Sequence, residues 1–150
     1  MTEIKQYGSL REKIAAEKAE RLERYARFAA VYQLADAAGA EAAEKASPTP
    51  MVVVQHANPL DDSSPVVRQY APVEGGVCGF AWVTVRPGNC SFALWTAKNK
   101  GWKKAYHGGM QLWVSAYGQS MERKDAYAQA FAAVLRDELG IRAYSSSRMD

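Results

Sequence analysis

At 150 residues, with a formal net charge of +3 and 48% hydrophobic residues, the chain has room for one ordinary core plus an appendage, not for two independent domains. Its two cysteines, Cys78 and Cys90, form no CxxC pair, and with only His56 and His107 to add, a zinc site is short of ligands, so neither metal nor cofactor is expected. "MTEIKQYGSLREK" holds no apolar leader core and no run approaches the ~18 apolar residues of a membrane span, so a protein kept in a reducing cytoplasm, away from membranes, is expected.

The first segment, 1–46, is expected to be one long helix. Ser9 and Glu12 make an S-x-x-E capping box, no proline follows until Pro48, and Gly39 is the one glycine in between. Glu17 with Arg21, Glu20 with Arg24 and Glu23 with Arg27 are i,i+4 pairs in the favourable order, each worth about 0.3 kcal/mol. Its apolar side runs Leu22, Tyr25, Phe28, Ala29 and Tyr32. Such a helix is longer than a compact 75-residue domain is wide, so it either bends near Gly39 or projects towards another chain.

The second segment, 47–76, holds five of the six prolines, which fix φ and delete backbone donors. "MVVVQHA" (51–57) is its one plausible strand, and the rest is expected to be a connector or an arm.

The third segment, 77–150, is the folded unit. "CGFAWVTVR" (78–86) alternates as a strand, with Gly79, Ala81, Val83 and Val85 on one face and Phe80, Trp82, Thr84 and Arg86 on the other. "SFALWTAKNKG" suits a short helix ending at Gly101. "KKAYHGGMQLWVSAY" suits a hairpin turning at Gly108-Gly109, which would place Lys104 opposite Trp113 and Tyr106 opposite Gln111. Ser120 caps a helix stopped by Gly140, and "IRAYS" is a last strand. The order β-α-β-β-α-β predicts an α+β fold of the ferredoxin-like kind.

The predicted sheet is apolar on both sides. With helices over Met110, Leu112 and Val114, the other side collects Phe80, Trp82, Trp102, Tyr106, Trp113, Tyr117 and Tyr144, interleaved with Arg86, Lys104 and Arg142. Six or seven bare aromatic rings exceed the patch a monomer usually tolerates, so something covers them. Three covers are open: the chain's own Leu22, Tyr25, Phe28 and Tyr32 with the "MVVV" segment, a second copy or another protein, or single-stranded nucleic acid stacked on the rings.

Charge bears on that choice. Residues 1–76 carry nine Lys/Arg against eleven Asp/Glu and residues 77–150 ten against five, so the halves stand at −2 and +5, compatible with an anionic partner or with a solubilising surface. Catalytic signals are weak: Cys90 before a helix start has only His107 as a conceivable base and no third member, and "RPGNCS" lacks a phosphate-loop pattern. Glu122, Asp125, Asp137 and Glu138 suit solvated helix ends.

The C-terminal half, through "CGFAWV", "GG-x-x-x-WVS" and "GQSMERKDAYAQAFAAVLRDELGIRAYSSSRMD", resembles a group of small, functionally unassigned proteins of tailed bacteriophages. The resemblance implies expression in an infected bacterium, in the host cytoplasm or the virion, with a role in host takeover, anti-defence or the particle. Together these readings predict a non-enzymatic accessory protein that docks onto another protein or onto its own copies as a homo-oligomer, through Trp82, Trp113 and Tyr106 as anchors, Lys104 and Arg86 as charged flankers, and Tyr25, Phe28 and Tyr32 on the helix. Single-stranded nucleic-acid binding through the same sheet is the alternative.

Overall fold

Ser9 has an extended backbone, and its hydroxyl accepts a hydrogen bond from the Glu12 N–H at 3.2 Å, which starts α1, Leu10–Lys45. The computed structural model describes residues 8–150, so most of the stretch read for a leader lies outside the described residues. After α1 come β1 (Val54–His56), β2 (Val66–Gln69), β3 (Gly79–Arg86), α2 (Ser91–Asn99), β4 (Lys103–Lys104), β5 (Met110–Trp113), α3 (Met121–Leu139) and β6 (Arg142–Met149). The protein is therefore a mixed helix-and-sheet fold with a long N-terminal helix and two antiparallel sheets. One sheet has four strands in the order β4-β5-β3-β6, and the other is the β1-β2 pair alone.

The alternation of β3 decides where the core lies. Ala81, Val83 and Val85 are fully buried and meet Met110, Val114 and Ala143 from the neighbouring strands. Phe92, Ala93 and Trp95 of α2 and Ala128, Phe131, Ala132 and Leu135 of α3 close over them. Ser120 caps α3 and Gly140 ends it in the left-handed region at φ 61°, as the sequence predicts.

The long helix belongs to this same helical side. Phe28 packs edge-on against Phe92, and Tyr32 reaches Trp95, Trp102 and Phe131. α1 runs antiparallel to α3, pinned at one end by Arg27 Nη2 donating to the Glu138 carbonyl at 2.7 Å and at the other by Arg123 Nη1 donating to the Ala43 carbonyl at 2.6 Å. Gly39 does not break the helix. α1 continues through it, and a Cβ built there would stand 2.6 Å from Tyr127 Cδ2, so its missing side chain lets the two helices approach. N-terminal to Arg27, α1 leaves the body as an exposed overhang of about 25 Å.

Several sequence expectations are corrected. Residues 47–76 hold two strands rather than one: β1 pairs with β2, extended by the Met51–Val73 bridge, in a hairpin whose strands are exposed almost throughout. The β4–β5 connection is five residues, 105–109, with Lys103 opposite Gln111 and Lys104 opposite Met110. That register differs by three places from a Gly108-Gly109 two-residue turn, and an odd shift exchanges the faces of β4, so Lys104 is on the helical side and Lys103 on the open side. Trp102 is not on the open face but buried in the core, donating from Nε1 to the Tyr32 hydroxyl at 3.1 Å. Tyr117, at φ 70°, packs against Tyr127 on the helical side. The last strand is longer than "IRAYS" and runs the whole length of β3.

Candidate functional site

Because α1, α2 and α3 all gather on one side of the four-stranded sheet, the other side has no helix over it among the described residues. β3 places Phe80, Trp82, Thr84 and Arg86 there, and its partners add Gln111 and Trp113 from β5 and Arg142, Tyr144, Ser146 and Arg148 from β6. Trp82 and Trp113 are directly paired across the strands and stack with ring centroids 4.9 Å apart at 26°. Phe80 meets Trp113 edge-on at 5.8 Å. This aromatic ridge lies on the two central strands and is half-exposed, with Trp113 at 44% of full exposure, and Tyr144 stands beside it on β6 at 37%.

Guanidinium groups flank the ridge. Arg148 lies over the Phe80 ring at 5.4 Å and Arg86 over the Tyr144 ring at 5.8 Å. Arg86 Nη2 also donates to the His107 carbonyl at 3.0 Å, which ties the 105–109 loop to β3, while its Nε is buried without a hydrogen-bond partner among the described residues. Tyr106, almost fully exposed, stands against His107 on that loop and forms a rim. Sheet and loop together enclose an open hollow of about 480 Å³, bordered by Trp82, Arg86, Tyr106, Trp113, Tyr144 and Arg148.

The charge on these strands is of one sign. The four strands carry Arg86, Lys103, Lys104, Arg142 and Arg148 and no Asp or Glu, and no carboxylate side chain occurs in the sequence from residue 77 to residue 121. Register puts Arg86, Lys103, Arg142 and Arg148 on the open side, and the nearest acid in sequence is Asp150, just past β6. The Asp150 N–H donates to the Cys78 carbonyl at 3.0 Å, which continues the β3–β6 register and sets one carboxylate at the Arg148 end of this face. A face of flat rings with four cations and that single acid at its margin can hold a planar, anionic ligand. Among the described residues no hydrogen bond pairs a nucleophile with a base on it.

Of the residues singled out from sequence, Trp82, Trp113, Tyr106 and Arg86 meet on this face. Lys104 does not, for the parity reason given above. Phe28 and Tyr32 are core residues of the same chain: Phe28 is 7% exposed, and burial is the main cause that raises the Tyr32 pKa above its ordinary value. They are therefore not free to anchor a partner. Tyr25 is partly exposed, with its ring 6.3 Å from Phe28. Lys103 and Arg148 were missed, and the acid-free stretch is the signal that could have found the cationic sheet.

Other candidate chemistry is weaker. Cys90 caps α2, its sulfur accepting from the Ala93 N–H at 3.5 Å, and no hydrogen bond joins it to His107 among the described residues. No group of three or more His, Cys, Asp or Glu that could hold a metal occurs among the described residues, and no described helix is long and apolar enough to cross a membrane. A larger hollow beside α3 is bordered mainly by alanines, with Arg136 already bonded to the Ala143 carbonyl.

What fold and site define together is an α+β protein whose sheet presents an aromatic and cationic face away from its helices. The chain matches no family model, no curated protein and no solved structure.

Proposed function

We propose that this protein binds single-stranded nucleic acid across the open face of its four-stranded sheet, with bases stacked on the Trp82–Trp113 ridge and phosphates met by Arg86, Lys103, Arg142 and Arg148. The observation that carries this reading is the coincidence of aromatics on the two central strands with four cations on the same face, against the single acid Asp150 at its margin. Every base has a π-face, so stacking on such a ridge is sequence-tolerant, and the backbone supplies the anion. The antiparallel order β4-β5-β3-β6, with α2 and α3 in the connections, supports a ferredoxin-like arrangement, in which RNA-recognition modules stack bases on the two middle strands. The chain lacks the glycine-and-aromatic consensus of those modules, so the reading rests on this face alone. Binding rather than catalysis is the role proposed, in an infected bacterium as the bacteriophage resemblance implies.

Tryptophan fluorescence tests it cleanly, because Trp95 and Trp102 are buried and only Trp82 and Trp113 lie on the face. Titration with single-stranded DNA and RNA should quench the emission. With at most four phosphates neutralised, log K should fall with log salt at a slope of about −2 to −3. Absence of salt-dependent quenching by either polymer would rule the proposal out.

A further inference from the structure

The β1-β2 arm is a second surface, independent of the sheet face. We propose that it joins two copies of this chain, the β1 edge of one copy pairing antiparallel with the β1 edge of the other across a two-fold axis to make a four-stranded sheet. A lone two-stranded hairpin is marginal in water, and here neither strand pairs with any further strand of the described structure. Two hydrogen bonds hold the arm to the body at its root, where Ser120 Oγ donates to the Gly75 carbonyl at 2.6 Å and the Thr49 N–H donates to the Glu122 carboxylate at 3.1 Å.

Three features point to a copy of itself as the occupant. The run Met51–Ala57 holds neither charge nor proline, the devices that normally blunt an edge strand, whereas β2 carries Arg68 and is flanked by Pro65 and Pro72. An antiparallel strand pair is self-complementary, and an uncharged strand meets its own copy without like-charge repulsion. Eight large apolar side chains between positions 52 and 73 are exposed, Leu60 at 96% and Val67 at 61% among them. Val52, Val53 and Val54, at 43%, 46% and 40% of full exposure, lie on the strand side that the second copy would meet, so the pairing covers apolar surface as well as free backbone groups.

Sedimentation of the full chain over a concentration series tests the proposal. The chain should be a dimer, and Val52→Lys with Val54→Lys should make it monomeric while the helical circular dichroism and thermal midpoint stay near the parent's. Leu22→Glu on the α1 overhang and Trp113→Ala on the sheet should both leave the dimer intact. Should the double variant fail to fold, Gln55→Cys treated with a short bis-maleimide decides instead, beside the parent treated alike because Cys78 and Cys90 are free thiols: a covalent dimer formed by the variant and not by the parent supports the arm, and its absence overturns it. A chain that stays monomeric throughout, or a dimer that survives the double variant, overturns the proposal. Neither result bears on nucleic-acid binding, which the fluorescence titration reads separately.

Discussion

Trp82 on β3 and Trp113 on β5 stand directly opposite one another and stack at 4.9 Å on the side of the sheet that no helix covers. A pair of this kind adds about 0.5–1.5 kcal/mol beyond its buried area, yet the ridge is half-exposed, so its loss is tolerable for the fold. On the proposed role, Trp113→Ala should weaken binding of a labelled single-stranded oligonucleotide about 10- to 100-fold, matching about 1–3 kcal/mol per stacked base. The thermal midpoint should fall only slightly. Fluorescence anisotropy beside a thermal melt separates the two effects, and equal affinity in parent and variant would remove Trp113 from the site.

Gly39 against Tyr127 makes the opposite demand, because there the fold leaves no space. An alanine in a helix interior ordinarily gains about 1 kcal/mol over glycine. At this position its Cβ would meet Tyr127 Cδ2 at 2.6 Å and Cε2 at 2.7 Å, and the ring cannot retreat freely because its hydroxyl is bonded to Asp36. Gly39→Ala should therefore destabilise the protein by about 1–3 kcal/mol, the ordinary cost of overpacking. Urea denaturation measures it, and a stabilised variant would mean that α1 and α3 are not in close contact.

What the sequence revealed follows from how local each signal is. Ser9 with Glu12, and Ser120 with Gly140, act within a turn or two of chain, and the helices they bound are where the residues put them. The alternation of β3 is likewise local, so Phe80, Trp82 and Arg86 were placed on their correct face. The partner of each face is a long-range property. Whether α1 covered the rings of the sheet or the helical side turned on Phe28 and Tyr32 meeting Phe92 and Trp102, residues some 60 to 70 positions away. Lys104 and Lys103 changed places through loop parity alone, since a five-residue connection and a two-residue turn at Gly108-Gly109 set registers an odd number of places apart. β2 was hidden because Pro65 and Pro72 bracket "VVRQ", a composition that discourages a strand unless, as here, both prolines lie outside its paired residues.

Burial at the α1–α3 seam makes stability depend on alkaline pH. Desolvation, with the Asp36 side chain beside it, raises the pKa of Tyr127 far above its ordinary value, and desolvation also raises that of Tyr32. In the unfolded chain both phenols ionise near pH 10, so above that pH the unfolded state releases protons that the folded state retains. The stabilisation tied to these raised values is thus complete below about pH 10 and is lost as the pH rises towards the folded-state values. The midpoint of unfolding should fall above pH 10, and Tyr127→Phe, which has no proton to lose, should flatten that fall. Melts between pH 8 and pH 11 compare the slopes, and parallel slopes would exclude Tyr127 as a source.

Ser120 joins two tasks in one hydroxyl, and conservative variants can pull them apart. Its Oγ accepts from the Arg123 N–H at 3.3 Å, capping α3, and donates to the Gly75 carbonyl at 2.6 Å, closing the root of the β1-β2 arm. Ser120→Ala loses both bonds and should cost about 1–2 kcal/mol, the usual range for a lost cap with a hydrogen bond beside it. Ser120→Asp keeps a capping acceptor at the positive end of α3 but, once ionised, has no proton for Gly75. It should therefore recover most of the thermal stability while leaving the arm as loosely rooted as in the alanine variant. Ser120→Thr keeps both functions and should behave as the parent. Limited proteolysis between 47 and 76, read beside thermal melts, resolves the two contributions: alanine and aspartate variants should be cut faster than the parent, and only the alanine variant should melt markedly earlier. Equal cutting rates in all four proteins would show that the Gly75 bond does not hold the arm.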